Sequence, residues 1–365
     1  GACFRQRVKA TPKPISIYFD LVLDCARLPS MNALAPSLTD VTDHLAGFLK
    51  AAGDPLRLQV LQVLGQNSFG VLELCEIMAM KQSGMSHHLK VLAKGGLVEK
   101  RREGNSIFYR RRLPQADDAE GAVHSALLDE LDDGSLNDEV AARLEQVQQQ
   151  RAEQSRAFFA RHAEQHDAQQ ELIAEYGQYA EQACELLLRA SPEGKQVLEI
   201  GPGDGLFLLE LAGHFEQVIG LDNAEAMLKR ARKAVAKRSN VELILGDWPE
   251  AASNLPTVDA VVLNMVLHHL PAPASAIRAA AEQLQAGGTL LITDLCRHDQ
   301  HWAHETCGDF WLGFDETDLV DWAGRAGLEL QESQFLALRN GFQVQVRTFE
   351  KRDTLTRSTQ HAVRE

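Results

Sequence analysis

Gln196-Val197-Leu198-Glu199-Ile200-Gly201-Pro202-Gly203-Asp204-Gly205 reads as an apolar strand that ends on an acid and runs into a glycine-rich turn. Leu206 to Gly213 continues with helical spacing, so the stretch is a strand-turn-helix unit. Glycines at such a turn let the backbone approach a ligand closely, and a helix start offers it unpaired N–H groups. A lone glycine loop is weak evidence, so the reading rests on three further strand ends. Gln217 to Leu221 repeats the strand and ends at Asp222, an acid where a second parallel strand presents it to ribose hydroxyls. Val241 to Leu245 leads into Gly246-Asp247-Trp248, an acceptor and an aromatic suited to an adenine amine and ring. Ala260 to Leu263 leads to Asn264 and then His268-His269-Leu270. Four strand ends in order predict an α/β domain over 191–350.

The order and spacing of these elements resemble the class I S-adenosylmethionine (SAM)-dependent methyltransferases, over about residues 155–350. The resemblance implies a Rossmann-like, mostly parallel seven-stranded sheet, with Phe342 to Glu350 as the final antiparallel strand. It implies SAM or S-adenosylhomocysteine as cofactor, bound by Glu199, Gly201, Gly203 and Gly205 of the loop, by Asp222 at the ribose and by Asp247 at the adenine. Asn223, Met227, Trp248 and Asn264 fall in cofactor-binding positions beside them. A nicotinamide cofactor is the rival for any such loop, and Glu199, Gly246-Asp247-Trp248 and the Asn264 to Leu270 element favour SAM. Ser155-Arg156-Ala157-Phe158-Phe159 and Tyr176/Tyr179 are similar to the helices that precede such cores, where aromatics cover the cofactor.

Methyl transfer is an in-line displacement, so alignment supplies most of the rate and a base is needed only for a protonated acceptor. His268 and His269 are the candidate catalytic residues, although packing beneath the loop explains either equally well. Asp294 closes the fifth strand, and Trp302, Phe310, Trp311 and Phe314 could roof a pocket or pack a core. The Asn/Asp-Pro-Pro-aromatic element of DNA amino-methyltransferases is absent at Asn264-Met265-Val266, which disfavours DNA methylation.

A second stretch, Gln82 to Gly95, sets Met85, Leu89 and Leu92 on one helical face and Ser83, Ser86, His87, Lys90 and Lys94 on the other. The preceding helix, Val71 to Ala79, is separated from it only by Met80 and Lys81, the tight connection of a helix-turn-helix. Leu97 to Arg102 and Ser106 to Arg112 form a hairpin around Glu103-Gly104-Asn105. That hairpin carries Lys100, Arg101, Arg102, Arg110, Arg111 and Arg112 against Glu99 and Glu103, a cationic wing fit for phosphates. A charge run alone is usually a solvated face; its adjacency to the two helices favours DNA.

Gln82 to Leu92, Gly96-Leu97-Val98, Arg102-Glu103-Gly104 and Tyr109 resemble the arsenical-resistance-repressor (ArsR) family of dimeric winged-helix regulators, and Phe48 to Leu64 is similar to its first core helices. The resemblance implies a double-stranded DNA operator as partner, a homodimer through the winged helix, and DNA contacts from Ser83, Ser86, His87, Lys90, Arg101, Arg102 and Arg110. His88 falls at the helix base. Lys81 stands where the family often has a small hydroxyl cap. The usual metal positions of the family are not matched: Ile77 follows Cys75 at the second position, and Asp117 to Asp132 offers one histidine, His124. No metal site is assigned, although His298, His301, His304 and Cys307 recur every three residues, a spacing at which only neighbouring pairs could share an ion.

The whole chain has 365 residues and a net charge of −14, so any nucleic-acid contact must come from a local basic patch. No apolar run approaches the roughly 18–20 residues that cross a bilayer, Ile15 to Leu23 is broken by Asp20, and a cytoplasmic protein is expected. Six scattered cysteines read as reduced thiols. The organisation expected is an N-terminal extension over 1–37, its first 30 residues fitting neither domain and their native origin in question because Met31 opens a domain-like pattern. A winged helix-turn-helix (α+β) over 38–114 comes next, then a helical connector and lid over 115–190, the SAM-binding domain over 191–350 and a polar tail over 351–365. Three functions compete: a repressor whose operator affinity follows SAM or S-adenosylhomocysteine, an active small-molecule methyltransferase whose winged helix controls its own gene cluster, and a metal- or arsenical-responsive regulator.

Overall fold

A computed structural model describes residues 38–352 apart from 66, 104–105, 115–117, 119 and 163–169. The expected extension over 1–37, the tail beyond Arg352 and the Gly104-Asn105 turn lie outside the described residues.

Helices α1 (Leu38–Ala52), α2 (Pro55–Leu64), α3 (Val71–Ile77) and α4 (Gln82–Lys94) pack around Phe48, Leu61, Leu74, Met85 and Leu89. Local chemistry sets their ends. Asp54 accepts from the Arg57 N–H at 3.1 Å, with Pro55 at the first helical position. Glu73 reaches back to the Gly70 N–H at 2.7 Å. Gly96, at φ 71°, takes the left-handed turn that ends α4. Lys81 stands before α4 without a side-chain cap. The wing strands β2 (Val98–Glu103) and β3 (Ser106–Arg111) pair antiparallel, and β3 also pairs with the two-residue β1 (Phe69–Gly70), too short to leave a periodic signal in the sequence.

After α5 (Gly121–Asp133) comes α6 (Asp138–His162), whose start is capped by Asn137 accepting from the Val140 N–H at 2.9 Å. Val140, Leu144 and Val147 of α6 are buried in the helix-turn-helix core. The first half of α6 is therefore a structural part of the first domain, whereas the end of the expected connector, from Ile173 to Leu187, is buried in the core of the second. A 3-10 turn, Tyr176–Gln178, and α7 (Ala180–Ala190) lead into the second domain.

Its strands are β4 (Gln196–Ile200), β5 (Gln217–Asp222), β6 (Val241–Leu245), β7 (Val258–Asn264), β8 (Leu284–Leu295), β9 (Leu328–Ala337) and β10 (Gln343–Lys351), in the sheet order β6-β5-β4-β7-β8-β10-β9. β4 to β8 are mutually parallel, and β10 is antiparallel to both β8 and β9. Helices α7, α8 (Leu206–Leu211) and α9 (Glu225–Ala234) cover one face; α10 (Pro273–Gln283) and α12 (Glu316–Arg325) cover the other, with the short α11 (Trp302–Thr306) in the connection after β8. The chain reverses direction across the sheet at β4 and β7, which opens a crevice at their carboxyl ends.

Two buried arginines join the domains. Arg151 of α6, 3% exposed, bonds Glu73 through Nε (2.7 Å) and Nη2 (2.6 Å), the Ser68 carbonyl and, in the second domain, the Pro271 carbonyl, each at 3.1 Å. Its guanidinium lies 4.8 Å from the ring centres of both Phe69 and Phe310. Arg101 of the wing, 2% exposed, donates to Glu103, to the Gly313 carbonyl and to Asp318.

Removing one partner of a buried ion pair usually costs ~3–5 kcal/mol. Arg151→Ala is expected at the lower end, because Glu73 keeps some exposure, and is expected to split urea unfolding into two transitions as the domains uncouple. A single transition at the wild-type midpoint would show that Arg151 does not join them.

Candidate functional site

Beyond Ile200 the chain turns through Gly201 (φ 64°) and Gly203 (φ 57°), conformations that suit glycine. A Cβ on Gly201 would also collide with Val266. Bare backbone thus borders a cleft of about 510 Å³ lined by Gly201, Gly203, Asp222, Asn223, Met227, Asp247, Trp248, Met265 and His269. Ala152, Arg156 and Phe159 of α6 form its opposite wall. A second cavity of about 130 Å³ adjoins it across the loop, sharing Gly201, Gly203 and Met265 and adding Tyr176, Tyr179, Glu199, Asp204 and Asn264. The predicted loop, ribose and adenine residues thus converge. Gly205 is the exception: it is buried against Ala231 of α9, so its missing side chain serves helix packing and not ligand approach.

The cavities are acceptor-rich. Glu199 is fully buried, and its Oε2, like Asn264 Oδ1, has no hydrogen-bond partner among the described residues. Burial, with Asp204 and Asp222 nearby, pushes the Glu199 carboxyl up to about 8. Burial pushes Asp222 up to about 6, against the pull of the Ala224, Gly203 and Asn223 N–H groups. Orphaned acceptors beside a bare backbone fit a ligand bearing hydroxyl and amino donors, as SAM does.

Asp247 meets two protein partners. Arg156 Nη1 lies 2.6 Å from its Oδ2, and Asn223 Nδ2 donates to its Oδ1 at 3.0 Å. The carboxylate expected to meet an adenine amine is therefore engaged by α6, whose Phe159 also packs on Ala224 and Met227.

The two candidate catalytic histidines part company. His268 is fully buried and does not line the cleft, which corrects its assignment as a base; its Nδ1–H donates to Asp294 Oδ1 at 2.8 Å. Burial would lower its pKa, but Asp294 and Asp309 outweigh this and raise it. His269 does line the cleft, 4.9 Å from the Phe159 ring, with Gln170 Nε2 donating to its Nε2 and its Nδ1–H donating to the Gly308 carbonyl, each at 3.2 Å. The four candidate roof aromatics do not line the cleft either. Phe310 and Trp311 pack on Phe108 of the wing, Phe314 on Trp322, and Trp302 on Phe342.

On the helix-turn-helix, Ser83, Ser86, His87 and Lys90 are all exposed on one face of α4. The wing differs from expectation. Register pairs Glu99 with Arg110 and Arg101 with Phe108, so alternation turns these residues to one face and Lys100 and Arg102 to the other. The first face docks on the second domain, where Arg110 lies 2.5 Å from both Glu99 and Asp318 and the Leu312 N–H donates to Glu103 at 2.8 Å. Arg101 and Arg110 therefore hold the domains together here and do not face DNA, while Arg102 stays exposed. Arg111 and Arg112 are engaged by Asp132 and Asp118.

The histidine repeat does not converge. His298 is held to about 4 by burial, His304 Nδ1 donates to the Asp309 carbonyl at 2.5 Å, and the ligand-capable groups found among the described residues exclude all four members. Cys75 is half-buried, which raises its thiol.

A winged helix and a Rossmann-like sheet with this cleft define a helix-turn-helix domain fused to a methyltransferase domain. Residues 52–101 match the helix-turn-helix domain family and residues 173–333 the methyltransferase domain family. An uncharacterized helix-turn-helix-type transcriptional regulator of Methanocaldococcus jannaschii is 42% identical over 68 residues, 18% of this chain and 76% of that protein. The chain belongs to the helix-turn-helix-type transcriptional regulators through its N-terminal domain, and its C-terminal part carries a methyltransferase domain. Ubiquinone biosynthesis O-methyltransferases of Saccharophagus degradans and Thiobacillus denitrificans are 28% and 29% identical, over 40% of this chain and 67% and 68% of their own lengths. A Burkholderia thailandensis 1,6-didemethyltoxoflavin-N1-methyltransferase, solved with 1,6-didemethyltoxoflavin and S-adenosylhomocysteine, aligns with TM-score 0.47 and 18% identity over 56% of this chain and 91% of its own.

Because Glu199 stays protonated in the folded chain up to about 8 but ionises near 4.5 when unfolded, its contribution is full at low pH and is lost as pH rises through that window. The loss runs at roughly 1.4 kcal/mol per pH unit. The Tm of Glu199→Gln, measured without cofactor, is expected to gain on wild type steadily from pH 5 to pH 8. A constant difference would show that Glu199 is not protonated.

Proposed function

We propose that the chain is a DNA-binding transcriptional repressor whose operator affinity responds to SAM or to S-adenosylhomocysteine. Helix α6 carries this reading. It buries Val147 in the helix-turn-helix core and, nine residues on, about 14 Å along the axis, bonds Asp247 in the cleft through Arg156. The same helix holds α3 through Arg143 on the Ile77 carbonyl (2.7 Å) and Arg151 on Glu73, and α3 leads into α4. A ligand that takes Asp247 and Met227 competes with Arg156 and Phe159 for them. If it prefers one placement of α6, it shifts the population that binds DNA.

When bound, SAM supplies an activated methyl group. The chain's part is to present the Gly201-Gly203 backbone and the Glu199, Asp222 and Asn264 acceptors, and to exclude water with α6. DNA would meet Ser83, Ser86, His87, Lys90 and Arg102, all exposed, in the cytoplasm. A homodimer through this domain goes with that reading.

The second reading, a small-molecule methyltransferase whose winged helix controls its own gene cluster, is supported by His269 at the cleft wall and by similarity to O-methyltransferases. Labelled-methyl transfer to candidate acceptors, lost in His269→Ala, would establish it.

For duplexes selected from a random pool, SAM or S-adenosylhomocysteine is expected to change the dissociation constant ~5–150-fold, the usual span of allosteric coupling. An unchanged constant removes the sensor reading. Lys90→Ala is expected to weaken binding to all duplexes and to flatten the slope of log K against log salt by about 0.9 per subunit, about 1.8 for the homodimer; an unchanged slope would move the DNA face elsewhere.

A further inference from the structure

Behind the cleft wall lies a group of side chains that the cofactor reading does not use. His268 and His269, in the turn after β7, face Asp309 in the loop after α11. His268 Nε2 and His269 Nδ1 each lie 3.9 Å from Asp309 Oδ1, and the ligand-capable atoms of the three residues all lie within 4.8 Å of one another. All three side chains are more than nine-tenths buried. Among the described residues, His268 Nε2 and both carboxylate oxygens of Asp309 have no hydrogen-bond partner. Buried polar atoms are nearly always satisfied, so three orphans this close together call for an occupant.

We propose that His268, His269 and Asp309 bind a divalent transition-metal ion of the Zn(II) or Fe(II) type. Two imidazoles and one carboxylate are donors suited to such ions. Bonds of ~2.0–2.2 Å put tetrahedral ligands ~3.3 Å apart, so the 3.9 Å gaps close by about half an ångström around an ion. The surroundings already orient one ligand. Asp294 accepts from His268 Nδ1–H at 2.8 Å and from the His268 backbone N–H at 3.3 Å, which leaves Nε2 as the lone-pair donor; a carboxylate behind the histidine is the usual support of a ligating imidazole. His269 exchanges its bond to the Gly308 carbonyl for the ion, and a flip of the Gln170 amide lets that side chain accept from the opposite ring nitrogen.

Charge points the same way. Asp294 and Asp309 are two buried carboxylates facing one imidazole pair, while Arg101 and Arg110 are engaged by Glu103, Glu99 and Asp318. A divalent ion supplies the missing positive charge. Its place in the fold gives it a role, because the loop that holds Asp309 continues to Leu312, whose N–H is bound by Glu103 of the wing. The ion ties the cleft wall to the segment on which the wing docks.

The test is metal binding by the full chain after chelation and removal of the chelator. One Co(II) per chain is expected, with the strong ligand-field absorption of a low-coordinate site, and Zn(II) is expected to displace it and raise Tm. Asp309→Asn and His269→Gln are each expected to lose the Co(II) spectrum. Asp294→Asn keeps all three ligands and is expected to weaken affinity ~10–100-fold. His214→Ala, in the more exposed Cys184, Glu210 and His214 group, is expected to change neither stoichiometry nor spectrum. Absence of saturable binding by the wild-type chain would overturn the proposal and leave His268 as an imidazolium between Asp294 and Asp309. A Co(II) spectrum retained by folded Asp309→Asn, or lost with His214→Ala, would overturn it equally.

Discussion

Arg151 carries a charge that it cannot give up, in a place that water does not reach. Its position is possible only if carbonyls and a carboxylate surround it, and these come from both domains: Ser68 and Glu73 on one side, Pro271 on the other. Aromatic rings from both complete the enclosure. Such a residue adds little net stability compared with a well-packed apolar one, but it strongly penalises every arrangement in which one set of partners is withdrawn. The relative placement of the domains follows from that penalty, and so does the path of α6, which must pass this point to reach the cleft.

Arg101 applies the same constraint at the wing. Its burial against Glu103, Asp318 and the Gly313 carbonyl turns one face of the cationic hairpin away from any role at a DNA backbone. What remains outward is Lys100 and Arg102 on the wing and the polar face of α4. Because the inward face of the wing rests on the loop between Gly308 and Phe314, and the Phe310 and Trp311 N–H groups are bonded to the His268 carbonyl, the wing and the turn beside the cleft share one rigid connection. Two contacts thus link the domains, α6 at one edge and the wing at the other.

The fold was largely legible in the sequence because its signals are local. Each strand end of the second domain announces itself by an apolar run closing on Gly201, Asp222, Asp247 or Asn264, and these residues do meet around the cleft. The α4 face was equally plain from its spacing. What escaped depends on partners far along the chain. Six basic residues in a hairpin look alike until register divides them and until Asp318, more than two hundred residues away, claims two of them. His268 and His269 are adjacent in sequence and chemically identical, yet the 3-10 turn puts one against the cleft and the other against Asp294. Gly205 resembles its neighbours in the loop, and only the approach of Ala231 reveals its separate purpose.

The size of the contacts decides how α6 could report on the cleft. Arg156 and Asp247 are each more than a third exposed, and a pair so placed is worth about 0–1 kcal/mol, a factor of roughly 5 at most in any equilibrium. Release of that pair alone could not drive a large change in DNA affinity. Phe159 adds a second hold, since its half-buried ring packs on Ala224, Met227 and His269, and full burial of such a side chain is worth about 1.5–3 kcal/mol, of which a half-buried ring realises a part. A ligand lying on Met227 contends with Phe159 for the same apolar surface. It either displaces the ring and loosens α6 or is covered by it and tightens the helix. The sign of the response therefore rests on packing at Phe159, and the ion pair sets only its fine adjustment.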